Sequence, residues 1–108
     1  MNPAPVILVV GCSRGFARRC RDAAIIGQAL VVETDIASMA TIAAQTRPLA
    51  IIMLEDVCAF DTASFTGIAS AVRSQLVMVA DEDVPQLELE SMILGAIQSA
   101  ESQRASYA

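Results

Sequence analysis

Four short apolar runs recur along the chain at near-regular intervals, at 6–10, 30–33, 50–54 and 76–79. Each has the length and the β-branched or aliphatic character of a buried strand. The segments between them are far longer than hairpin loops and long enough for crossover helices, which parallel neighbours require. Each of those segments also carries a helical stripe. The first has Phe16, Cys20 and Ala23/Ala24 on one face and ends near Gly27. The second is expected to start at Asp35 and to turn Ile36, Met39/Ala40 and Ala43 inward, stopping before Pro48. The third begins at Asp61, with Phe65, Ile68/Ala69 and Val72 inward. The last begins around Asp83-Val84-Pro85 and carries Leu89, Met92/Ile93, Ala96 and Ala100, with a fraying polar tail from about residue 99. Asp35, Asp61 and Asp83 read as helix caps.

These elements predict a single α/β domain, (βα)₄, with a flavodoxin-like parallel sheet of order 2-1-3-4. Right-handed crossovers put helices on both of its faces. A chain of 108 residues has room for one such domain. Its 55% hydrophobic content suits strands buried on both sides. No apolar run reaches the length of a membrane span, since the longest is 49–54. The N-terminus lacks the basic region of a signal peptide and the three cysteines form no close-spaced pair, so a cytoplasmic protein is expected. A net charge of −5 disfavours nucleic acid as a partner. Histidine is absent and all seven positive side chains are arginine, which removes imidazole-based catalysis, Walker-type phosphate loops and Schiff-base chemistry.

In a sheet of this kind ligands bind at the carboxyl ends of the strands, at the topological switch. Strand 1 leads into Gly11-Cys12-Ser13-Arg14-Gly15-Phe16-Ala17-Arg18, and the other strands lead into acids: Glu33 and Asp35, Glu55 and Asp56, then Asp81 to Asp83. Glu55, Asp56 and Asp81 are the candidates for an acidic edge. Such an edge can hold Mg²⁺, or the same acids can cap helices and face solvent; the expectation is no metal and no cofactor.

The stretch 30–53 resembles bacterial receiver domains. An acidic turn ends the second strand, an Ala-rich helix follows, and Arg47 and Pro48 lead into the third strand. The acid pair that receivers carry after strand 1 is replaced by Gly11 and Cys12. The phosphoacceptor position falls on Leu54 or Glu55, the Ser/Thr after strand 4 is Ala80, and the lysine does not exist. The resemblance therefore implies a shortened pseudo-receiver that is not phosphorylated on aspartate, a non-enzymatic protein–protein interaction module in bacterial signalling or cellular organisation.

The loop after strand 1 is similar to three other families. Gly11 and Gly15 resemble the glycine loop of short-chain dehydrogenases, with Glu33 or Asp35 where a ribose-binding acid belongs, which leaves nucleotide binding open. Reductase chemistry is not, because the sole tyrosine is Tyr107 and no lysine accompanies it. Cys12-Ser13-Arg14-Gly15 resembles the phosphocysteine loop of sugar-phosphotransferase B subunits, in which Cys12 would be the nucleophile, its thiolate favoured at a helix N-terminus. Cys12 and Arg18 also have the spacing of a low-molecular-weight phosphatase loop. The bland alternative is that Cys12 is a small residue permitting the turn.

Two surfaces suggest protein partners. Arg14, Arg18 and Arg21 form a basic stripe on the first helix of an otherwise acidic chain, with Arg19 adjacent. Leu87, Leu94 and Ile97 extend the apolar girth of the last helix beyond one face, which predicts a homodimer.

Overall fold

A computed structural model describes residues 4–106. Five-residue strands β1 (Val6–Val10), β2 (Leu30–Thr34), β3 (Ala50–Leu54) and β4 (Gln75–Val79) form one parallel sheet in the order β2-β1-β3-β4. Its helices are α1 (Arg14–Ala24), α2 (Met39–Thr46), α3 (Glu55–Ala59), α4 (Thr62–Ala71) and α5 (Gln86–Ser106). The registers run Val6 against Leu30, Ile7 against Ala50 and Ala50 against Gln75, so all four strands end at the same edge.

The alternation of side chains along the central strands sorts them into two cores. Ile7 and Val9 of β1, with Ala50 and Ile52 of β3, face α1 and α5. Leu8 and Val10, with Ile51 and Met53, face α2 and α4. Both faces are apolar because both are covered, which is why these strands read as unbroken hydrophobic runs. α1 follows from its stripe: Phe16, Ala17, Cys20, Ala23 and Ala24 are buried, while Arg14, Arg18 and Arg21 are exposed. Among the described residues no helix is long and apolar enough to cross a membrane.

Five expectations change. α2 starts at Met39, not Asp35. The Asp35 carboxylate accepts the Ser38 amide at 2.7 Å in a turn ahead of the helix. Ile36, in that turn, is 48% exposed and lies over Gly11, and Ala40 is exposed too. α3 stands where the sequence suggests only a connection, because five residues are too few to show a helical period. Asp61 does cap α4, accepting from the Ser64 amide at 3.3 Å, but Asp83 caps nothing comparable: α5 begins on the Pro85 carbonyl, which accepts from Leu89. The stretch expected to fray from about residue 99 is helical through Ser106, and Tyr107 lies outside the described residues.

The fifth change concerns the residues assigned to the dimer interface. Ile97 is 3% exposed and Leu94 is half-buried, both within the monomer. The turn after α1 provides their seat, since a Cβ on Gly27 would lie 2.9 Å from Ile97 Cδ1 and 3.2 Å from Leu94 Cδ2. Within the monomer α5 thus packs Ile97, and part of Leu94, against the turn after α1. Of the three residues assigned to a two-fold interface, Leu87 alone is well exposed, at 80%. Ile97→Glu should therefore destabilise the monomer by about 3–5 kcal/mol, the usual cost of an unpaired buried charge. Leu87→Glu should stay within about 0.5 kcal/mol, as for other surface changes. Urea denaturation of the two variants tests this, and a near-neutral Ile97→Glu would contradict it.

Candidate functional site

The loop after β1 is built by one glycine and one cap. Gly11 has a left-handed backbone (φ +67°), continues the sheet by donating its amide to Thr34 O at 3.0 Å, and turns the chain out of the strand. Cys12 follows, half-buried, its thiol directed at Val10 O at 3.5 Å. Ser13 is the N-cap of α1: its Oγ accepts from the Phe16 amide at 3.2 Å.

A carboxylate from the far end of the chain occupies this helix N-terminus. Glu82, in the loop after β4, accepts the Ser13 amide on Oε2 at 3.0 Å and the Ser13 hydroxyl on Oε1 at 2.5 Å. The loop that brings it there is tied to α1 by Arg19. The guanidinium donates from Nη1 to Glu82 O at 2.7 Å, from Nη2 to Val84 O, and from Nε to Gln86 Oε1 at 3.0 Å. Gln86 returns the contact, donating Nε2 to Arg19 O at 3.0 Å. Nothing in the sequence sets Arg19 or Glu82 apart. They stand 63 residues apart, in a run of arginines and a run of acids respectively, and no local pattern marks either one.

Cys12 is not a ready thiolate. Its pKa is pushed up to about 11, by burial first and by the Glu82 charge second. A helix N-terminus is expected to lower it, but desolvation and a facing carboxylate prevail. Cys20 is likewise raised, to about 12, chiefly by burial. Cys20 and Cys58 are both in the core.

The other candidates divide. Arg14 and Gly15, at the start of α1, and Arg18 in its second turn are exposed. Arg21 pairs with Glu33 at 2.9 Å on the surface, an arrangement of small energetic weight. That pairing engages the acid assigned to a nucleotide ribose. Gly11, Cys12, Arg14, Glu33, Thr34 and Asp35 nevertheless line one open cleft of about 470 Å³. On the other side of the site Glu55 and Asp81 meet with Asp83 and Glu88 along a cleft of about 400 Å³. Asp56 is exposed in the first turn of α3. Asp81 turns back onto its own loop, accepting the Asp83 amide at 2.8 Å. Among the described residues no three acids or cysteines converge as metal ligands.

No family model matches the chain, and no curated protein does. Among solved structures it is similar to the lactose-specific IIB component domain of the phosphoenolpyruvate:carbohydrate phosphotransferase system from Streptococcus pneumoniae. The TM-score is 0.60 and the identity 14%, over 93% of this chain and 97% of that one. At that identity the likeness establishes the fold. It falls on the sugar-phosphotransferase B subunits that the Cys12 loop resembles and lends nothing to the receiver resemblance.

The thiol makes a direct test of this geometry. With Cys20 and Cys58 buried, iodoacetamide should modify Cys12 selectively. Its rate should be low at pH 7 and rise about tenfold per pH unit until the thiol ionises near pH 11. Intact-mass kinetics across pH give the profile, and a plateau reached below pH 9 would contradict a raised pKa.

Proposed function

We propose that this chain is a phosphoryl-carrying protein that accepts a phosphoryl group on Cys12 and passes it on through protein partners. One observation carries the reading. The Ser13 amide and hydroxyl, next to Cys12 at the N-terminus of α1, already converge on an oxyanion, the Glu82 carboxylate. A phosphoryl group on the Cys12 sulfur would find the same two donors, and the exposed Arg14 and Arg18 add positive charge to that end of the helix. The likeness to a phosphotransferase IIB domain supports the reading from the side of the fold.

The raised thiol pKa bears on the donor. As the S–P bond forms and the donor's bond to phosphorus breaks, the thiol proton has to leave. A departing nitrogen takes it more readily than a departing carboxylate does, so N–P donors suit this loop. The partner is a protein whether or not Cys12 is phosphorylated. Ile36, Phe60 and Leu87, exposed by 48, 90 and 80%, sit in or just beyond the connections that follow β2, β3 and β4, at the same end of the sheet as Cys12.

A second reading is a non-enzymatic interaction module, not phosphorylated at all. It is favoured by the same carboxylate, which satisfies the oxyanion donors internally. Prolonged incubation with phosphoramidate separates the two. The carrier reading expects a mass gain of about 80 Da that is absent in Cys12→Ser, and little or none from acetyl phosphate. An unchanged mass in the wild type and in Glu82→Ala alike would leave the interaction module.

A further inference from the structure

We infer that Glu82 is an autoinhibitory latch: its carboxylate occupies the Ser13 amide and hydroxyl that an incoming phosphate needs, and its departure opens the loop. The inference deepens the carrier reading above and rests on it for the identity of the displacing group. Both carboxylate oxygens are engaged, one on the amide and one on the hydroxyl. The Ser13 hydroxyl is oriented by this contact. Its oxygen accepts from the Phe16 amide, so its proton is the one given to Glu82.

The latch is separable from its mounting. The backbone carbonyl of Glu82 is held by Arg19, and Gln86 closes a reciprocal pair with the same arginine. The β4–α5 loop therefore stays docked on α1 while the Glu82 side chain rotates away. Glu82 is half-buried, so solvent lies on its way out. The neighbouring acid is engaged elsewhere: Asp81 accepts the Asp83 amide, and Ser13 is met by Glu82. Carboxylate and phosphate cannot hold the two donors together, because they compete for the same hydrogens and carry like charge. Phosphate arrival and Glu82 departure are then one event.

Titration with inorganic phosphate, followed through the amide resonances of Ser13 to Phe16, tests this. Glu82→Ala should bind phosphate at least tenfold more tightly than the wild type. Glu82→Gln, which keeps the contact without the charge and guards against misfolding of the alanine variant, should gain severalfold. Asp83→Asn removes an equal charge from the same loop and should change the affinity less than twofold. If neither Glu82 variant gains affinity, or if Asp83→Asn gains as much as they do, the latch is overturned. The two proposals fail separately. Tighter phosphate binding in Glu82→Ala without any Cys12 adduct keeps the latch and removes the phosphocysteine. A Cys12 adduct with unchanged phosphate affinity does the reverse.

Discussion

Arg19 projects from the middle of α1 and gathers the β4–α5 loop and the first turn of α5 against it. Its guanidinium takes two backbone carbonyls and the Gln86 amide oxygen, and Gln86 takes the Arg19 carbonyl in return. Removing such a side chain would strand acceptors in a half-buried place, at about 1–3 kcal/mol for each left unpaired. The position of α5 depends on this clamp at its start and on Gly27 near its middle, where the missing Cβ lets Leu94 and Ile97 close on the turn after α1. α5 in turn supplies Leu89, Ile93, Ala96 and Ala100 to the core on that face. The same clamp sets the height at which Glu82 stands over Ser13. Stability and the state of the candidate site thus share one arginine.

Hydrophobic patterning made the sheet legible. Strands buried on both faces leave continuous apolar runs, and long connections between them leave only parallel pairing. What patterning does not resolve is where a capping acid belongs. Asp35 makes the hydrogen bond expected of a cap, from the amide three residues on, yet does so in a turn ahead of the true N-cap, Ser38. The side chain of an Asp offers the same bond to both conformations, so composition there cannot distinguish them. α5 illustrates another limit. Its apolar girth is real, but how much of it the monomer itself covers depends on Gly27, distant in sequence, whose role emerges only once the elements are packed.

The candidate site was legible by half. Cys12, Ser13 and the glycine turn follow from position, since they lie at the carboxyl end of β1 at the switch point. The thiol's character does not, because it is set by burial and by an acid distant in sequence. A helix N-terminus is commonly treated as a source of thiolate. Here the positive end of the helix is already met by a carboxylate of the same chain, and Cys12 packs against the core within reach of that charge.

The separation of 69 residues between Ser13 and Glu82 also bears on how the site comes into being. Chains emerge from the ribosome N-terminus first and fold in that order where they can. An isolated helix of eleven residues is marginal in water, so the oxyanion donors at Ser13 take shape only as α1 packs on the sheet. They meet Glu82 only once the loop after β4 has docked on α1.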